Sequence, residues 1–305
     1  MKRYLINTLA YTLALFSLIL AWAVISSHIV YDRNFHNWEV EGNLLVMKSN
    51  RHYDLLIMGI SHARNFSRHK NHLRMEKMLD QKIINLAIGE GRCGAVDQHF
   101  FLKYFYNKGN STDKILYVLS PTLLNKGFIN KASNTFELEP FRVDFFLQYL
   151  NYSADNKYQR LFYYVKSKFS CKWLKLKPYS RNSMKKALVA IDSNQIREGL
   201  KLLLVDGERI DEFHRNCIKV EETINMSIAN HSEIIFIIPP ALFGKWEGHF
   251  ETIAFLKEMN EKYGTAYYDF SESVLEPKYY YDHHHLNSAG IDYFVENYLK
   301  NIVQN

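Results

Sequence analysis

The sequence predicts an α/β protein: a three-layer α/β/α sandwich on a five-stranded, mainly parallel sheet, with an N-terminal transmembrane helix and a helical insertion. Three observations carry this expectation. Short, fully apolar runs recur and are closed by glycine, proline or another small residue, as strands buried on both faces require. Patterns of helical period lie between them, and strands alternating with helices make a parallel sheet. The third is an uncharged N-terminal stretch of membrane-spanning length.

The clearest strand is Tyr53–Met58 in YDLLIMGISHARNF, residues 53–66. It stops at Gly59, where the chain turns sharply and leaves Ser61 at the strand's carboxyl end, the edge where open α/β sheets hold ligands. Further strands are expected at 82–88 (KIINLAI), 114–120 (KILYVLS), 233–239 (EIIFIIP) and, shorter, 265–270 (TAYYDF). Helical patterns cover 66–80, 95–107, 207–230 and 247–262, and a last helix begins near Asn287. The glycines Gly89, Gly91 and Gly94 form a turn after the second strand.

Lys2 and Arg3 precede a stretch from Leu5 to Ile25 that holds no charge. About 20 apolar residues cross the hydrocarbon core as a helix. Positive residues stay in the cytoplasm, which puts residues from about 34 onward outside it. Ala21-Trp22-Ala23 has the small-residue pattern of a cleavage site, but the apolar run continues to Val30, so an uncleaved signal anchor is expected. The expected organisation is therefore 1–33 as anchor and 34–305 as the folded domain, with 32–50 as a polar linker and an insertion at about 125–206.

That insertion breaks the strand–helix rhythm. Between Lys157 and Lys186 there are ten Lys or Arg and no Asp or Glu, interleaved with aromatic residues. It reads as a lid over the sheet edge, as a membrane-facing surface, or as a solvated basic helical hairpin. Basic and aromatic residues together also bind nucleic acid, but an exported location argues against that. Anionic lipid or an anionic glycan fits better. The overall charge of +6 is modest, and Cys93, Cys171 and Cys217 are too few and too scattered for a disulfide framework or zinc site.

Near the other end stands DHHHLNSAG, residues 282–290. Asp282 and His285 are three residues apart, ahead of a helix that Asn287 or Ser288 would cap. On one turn Asp282 reaches the imidazole of His285 and fixes its tautomer. His285 then serves as base toward a serine hydroxyl, too weak a nucleophile without one. Three successive histidines also admit a metal site, but no matching carboxylate or cysteine cluster occurs elsewhere, and no metal or cofactor is expected.

A strand ending in Gly59-Ile60-Ser61-His62 near the start, with Asp282-His283-His284-His285-Leu286-Asn287 near the end, resembles the SGNH/GDSL hydrolase superfamily. The likeness is nearest to its exported, membrane-anchored bacterial branch, which includes proteins of alginate O-acetylation and teichoic-acid D-alanylation. It implies a flavodoxin-like sheet, Ser61 as nucleophile, His285 as base and Asp282 as its orienter. Asn85-Leu86-Ala87-Ile88-Gly89-Glu90-Gly91 resembles the block that supplies a glycine amide to the oxyanion hole, so Gly89 or Gly91 is the implied donor. His62 and Asn287, inside the matching blocks, are the candidates for substrate contact. The block after the third strand departs: the family has Gly-x-Asn-Asp, and this chain has Leu119-Ser120-Pro121-Thr122, with Asn125 several residues late. The resemblance implies a serine esterase or O-acyltransferase acting on acyl groups of a surface glycan or an acylated small molecule, with a membrane-bound acyltransferase as partner if it transfers. The alternative is a weakly active or inactive module that binds a glycan or an envelope partner.

Overall fold

The computed structural model describes residues 1–35, 47–89, 92–125, 132–176, 186–201 and 209–304. Gly91, most of the expected linker and the 177–185 part of the basic stretch lie outside the described residues. The described chain forms two compact units, one of residues 1–38 with 133–178, the other of 39–132 with 179–305.

The larger unit is the α/β sandwich. Strands β1 (His52–Gly59), β2 (Ile83–Asn85), β3 (Ser111–Val118), β4 (Glu233–Ile238) and β5 (Ala266–Asp269) form one sheet in the order β2-β1-β3-β4-β5, parallel throughout. Because β1 is followed outward by β2 on one side and by β3 on the other, the strand order reverses beside β1. The carboxyl end of that strand is the crevice such a sheet offers to ligands.

Alternating side chains go to opposite faces. Leu55 and Ile57, Leu116 and Val118, and Ile235 and Ile237 pack with helix α3 (Asn71–Leu79) and the C-terminal helical stretch 288–303. Leu56, Met58, Ile115, Tyr117 and Phe236 are equally buried on the other face. There α4 (Ala95–Asn107) and α10 (Arg209–Ala229) pack side by side, with α11 (His249–Tyr263) next to α10. Each such aliphatic side chain taken from water contributes about 1.5–3 kcal/mol, which makes the sheet the rigid part of this unit.

One strand is shorter than its apolar run. The sequence predicts 82–88, but β2 ends at Asn85. The buried Asn85 amide explains the break: its Oδ1 accepts from the N–H of Ala87 at 2.9 Å, and its Nδ2 donates to the carbonyl of Ala63 at 2.8 Å. A side chain that offers the backbone such an alternative partner ends the ladder.

The smaller unit is helical. Helix α1 (Lys2–Val30) is long and apolar enough to cross a membrane. The insertion contributes α6 (Val143–Leu150), α7 (Lys157–Ser167) and α8 (Cys171–Leu174). Phe136, Phe145, Tyr149 and Tyr164 form their aromatic centre. These helices are tied to α1: the Phe141 N–H donates to Ser27 Oγ at 2.7 Å, and Arg33 donates to the carbonyl of Leu174.

Candidate active site

Ser61 opens α2 (Ser61–Asn65), one turn beyond the end of β1. The turn between them needs glycine at position 59. Gly59 has φ +133°, and a Cβ there would lie 2.6 Å from the Val118 carbonyl oxygen and 2.9 Å from Ala63 Cβ. Its N–H is held by Gln98 Oε1 at 3.0 Å. These constraints fix where β1 stops, and so where the serine hydroxyl stands.

The other half of the site is the loop after Tyr280. Tyr280 and Leu286 form an isolated antiparallel bridge, so the residues between them make a tight excursion. Inside it, Asp282 Oδ1 accepts from the backbone N–H groups of His284 (3.0 Å) and His285 (2.8 Å). Asp282 Oδ2 lies 2.8 Å from His285 Nδ1, and His285 Nε2 lies 2.7 Å from Ser61 Oγ. With Nδ1–H donating to the carboxylate, Nε2 is left to accept from the serine. Burial alone would raise the Asp282 pKa. The hydrogen bond from His285, the nearby charges of His285 and His284, and the His284 N–H outweigh it and hold the carboxyl well below the usual carboxylate range. Tyr281 stacks on the His285 ring at 5.4 Å with the planes 4° apart.

Gly89 also arrives at this point, brought there by the turn at Asn85. A Cβ on Gly89 would sit 3.3 Å from Ser61 Cα, 3.4 Å from Ser61 Cβ and 3.3 Å from Arg68 Nη2. Backbone and guanidinium thus crowd the serine. Arg68 is buried and donates from Nη1 to Asn65 Oδ1 at 3.1 Å. Arg68 falls in the charged stretch 66–80, which reads as a partly exposed helix and carries no signal of a site residue.

Other expected roles change. Asn287 is not available to a substrate: its Oδ1 caps the last helix by accepting from Gly290 N–H at 2.8 Å, and its Nδ2 donates to the carbonyls of Lys186 (2.9 Å) and Lys278 (2.8 Å). Gly290 explains itself by close approach, since a Cβ there would collide with the Tyr279 carbonyl. Asn125 donates to the Pro121 carbonyl at 2.9 Å and packs on Gly248. Ser120 and Thr122, where the family pattern has its asparagine, are hydrogen-bonded to each other at 2.8 Å.

The three histidines part company. His283 is buried by itself, with neither ring nitrogen hydrogen-bonded to the described protein. His284 does not point away from the site, as a simple exposed histidine would. Its ring centroid lies 4.0 Å from that of His285 and 5.6 Å from that of His62. His62, which follows the serine, is buried against His285 at 4.8 Å and edge-on to Trp246 at 5.8 Å. Burial, then the neighbouring charges of His285 and His284, push its pKa well below the ordinary histidine value, so it is neutral. His62, His284 and His285 are spaced to share a metal ion, as are the outlying His52, Asp54 and Asp113 around the start of β1.

No family model matches the chain, and no curated protein matches it. Among solved structures, it is similar to a Bacteroides fragilis protein provisionally described as an acylhydrolase, with 14% identity, 88% of this chain and 95% of that chain covered, and a TM-score of 0.41. At that distance the likeness supports no reading of family or activity, and the site speaks through its own atoms.

Proposed function

We propose that this chain is an exported, membrane-anchored serine esterase or O-acyltransferase of the SGNH type, acting on acyl groups of a cell-surface glycan. The observation that carries the reading is the relay of Asp282 to His285 at 2.8 Å and His285 to Ser61 at 2.7 Å, at the switch-point edge of the sheet. Such distances suit a base that takes a hydroxyl proton as the oxygen attacks.

Ser61 Oγ adds to the acyl carbonyl carbon while its proton passes to His285 Nε2. The carbonyl electron pair moves onto oxygen. The Gly89 amide and the positive charge of Arg68 are the groups at hand to stabilise that oxyanion. Asp282 stabilises the imidazolium. As the carbonyl re-forms, the bond to the departing alcohol oxygen breaks and His285 returns the proton to it, leaving an acyl ester on Ser61. Water or a sugar hydroxyl then attacks this ester with His285 again as base. Transfer would draw its acyl groups from a membrane-bound acyltransferase.

The anchor reading rests on α1. Lys2 and Arg3 before the span put the rest of the chain outside the cytoplasm. A C-terminal alkaline phosphatase fusion is expected to be active and a C-terminal green fluorescent protein fusion dark. The reverse pattern overturns the orientation.

A binding module without turnover is the second reading, favoured by the mutual satisfaction of Ser120 and Thr122 where an amide donor would complete the oxyanion hole. One fewer donor lowers turnover by roughly 10²–10³. Treating the full chain in detergent micelles with a fluorophosphonate probe separates the two readings. Labelling that disappears in Ser61→Ala supports the enzyme, and a wild type that does not label sinks it.

A further inference from the structure

The relay uses one of three imidazoles that meet beside Ser61. The other two, His62 and His284, have no part in the proton transfer proposed above, and their placement calls for an account. His62 is only 7% exposed, and neither of its ring nitrogens has a hydrogen-bond partner in the described protein. It is surrounded by the rings of Trp246, His284 and His285 and by the His284 backbone, with no carboxylate at hydrogen-bond distance.

One ligand atom from each of His62, His284 and His285 lies within 4.8 Å of the other two. A void of about 10 Å³, about the size of one water, adjoins His62 and His284; the rest of its lining is mostly apolar (Phe66, Pro239, Pro240, Leu286 and Ile291), and His285 is not part of it. Asp282 holds His285 Nδ1 at 2.8 Å, and His284 Nδ1 lies 3.6 Å from the same carboxylate, beyond hydrogen-bond distance. A carboxylate on Nδ1 orients an imidazole and strengthens Nε2 as a ligand, the outer-shell arrangement common to zinc-bound histidines. Neutral imidazoles suit zinc and its neighbours in the first transition row and do not suit calcium or magnesium.

We propose that His62, His284 and His285 form an inhibitory site for Zn²⁺ or a similar late first-row dication, which captures His285 Nε2 and so disarms Ser61. The nitrogen that would accept the serine proton is the one the ion takes, so metal and proton transfer exclude each other. The ion is a brake and supplies no step of the reaction. Water or the substrate's hydroxyl completes the fourth position of the tetrahedron. The inhibitory part rests on the serine chemistry proposed above, but binding of the ion does not.

The test uses the full chain without a histidine tag, freed of metal by chelation and held in detergent micelles. Co²⁺, whose visible absorption reports coordination by nitrogen, and Zn²⁺ as its competitor are titrated into wild type, Ser61→Ala, His284→Ala and His62→Phe, with circular dichroism checking that each folds. Wild type and Ser61→Ala are expected to bind one equivalent. His284→Ala and His62→Phe are each expected to weaken binding by about 100-fold or more, since losing a ligand costs more than the roughly 10- to 100-fold lost with an outer-shell partner. Loss of fluorophosphonate labelling with added Zn²⁺ should follow the same affinity in wild type and shift to higher Zn²⁺ in His284→Ala. Absence of Co²⁺ and Zn²⁺ binding by wild type, or equal binding by His284→Ala, overturns the site. Stoichiometric binding with labelling unchanged overturns the inhibition alone. A chain that binds Zn²⁺ at this site yet never labels would keep the metal site and discard the serine reading. Should His62→Phe fail to fold, His284→Ala decides alone.

Discussion

The two compact units solve the burial of apolar surface in opposite ways. In the sheet-containing unit, the strands carry the apolar residues and helices cover them from both sides, so that Leu55, Ile57, Leu116 and Ile237 are all but inaccessible. The helical unit buries charge and aromatic rings. Arg160 is enclosed and donates to the Tyr149 hydroxyl at 2.8 Å, while Lys168 is fully enclosed, with Nζ 3.7 Å from the centroid of the Trp173 ring and donating to the Glu137 carbonyl at 3.0 Å. Its long aliphatic and aromatic side chains face outward instead, among them Leu9, Leu13, Phe16, Leu147, Tyr158 and Phe162. A contiguous apolar exterior of this kind marks a surface that does not meet water. An apolar groove of about 540 Å³ runs between α1 and the insertion, lined by Phe16 and Ile19 on one side and Leu150, Phe162 and Phe169 on the other. Phe16 and Ile19 belong to the apolar helix α1, so the insertion helices pack on the stretch that is long and apolar enough to cross a membrane. One unit carries the Ser61–His285–Asp282 relay, and the other carries the helix long and apolar enough to cross a membrane.

The comparison can be broken at four places. The largest effect belongs to the sheet unit: Ser61→Ala and His285→Ala are each expected to lower esterase turnover on p-nitrophenyl acetate by about 10⁶-fold, and Asp282→Asn by about 10⁴-fold. Comparable losses for all three would make Asp282 more than a support. Next is removal of residues 1–33. If α1 were only a tether, the remainder would be a soluble, well-packed protein. Because Ser27 and Arg33 are bonded to the insertion, the truncated chain is expected to expose 133–178 to rapid proteolysis while the sheet unit survives.

Acid should then act on one unit before the other. In the sheet unit, burial pushes the pKa values of His72 and His99 from 6.5 down to about 4, and that of His62 down as well. The folded state therefore binds fewer protons than the unfolded one between those values. Stability is full above pH 6.5 and falls as pH drops toward 4, by up to about 1.4 kcal/mol per unit for each histidine. In the helical unit His28 is exposed, and no buried histidine occurs among the described residues. Denaturant midpoints followed at pH 7 and pH 4.5 should fall for the sheet unit and hold for the helical one. The smallest effect is spectroscopic. A tryptophan introduced by Leu147→Trp should be quenched by brominated lipid in proteoliposomes, and one introduced by Tyr268→Trp, exposed on β5, should not. Equal quenching would end the distinction.

Much of the sheet was legible because its signals are local. An apolar run closed by Gly59 reads as a strand and a turn wherever it occurs, and Asp282 and His285 declare their partnership through a spacing of three. The shortened β2 was not legible, because the decision lies in a side-chain hydrogen bond from Asn85 to Ala63, 22 positions away. Arg68 is hidden for a related reason: its charged stretch, 66–80, reads as a partly exposed helix, and only the fold turns it inward. The insertion was read as basic and aromatic, but the partner it packs on, α1, is more than a hundred residues upstream and was read as an anchor alone. Asn287 shows the reverse error, a polar residue in a telling motif whose hydrogen bonds are all spent on the backbone.

The bond from Phe141 to Ser27 spans 114 positions, and the whole sequence from 39 to 132 lies between the two parts of the helical unit. Synthesis runs from the N-terminus, so α1 is complete long before its companions exist. Closing so long a loop from free solution costs conformational entropy. A helix already lodged in the bilayer removes part of that cost, because the late-arriving 143–174 segment needs only to find the same membrane surface and then diffuse in two dimensions. If α1 lies in a bilayer, as proposed, the bilayer would serve as a folding template, with three of the five strands made before the insertion and two after it. A consequence is that cleavage at Ala23, which is fully enclosed, would remove most of the helix on which the insertion packs.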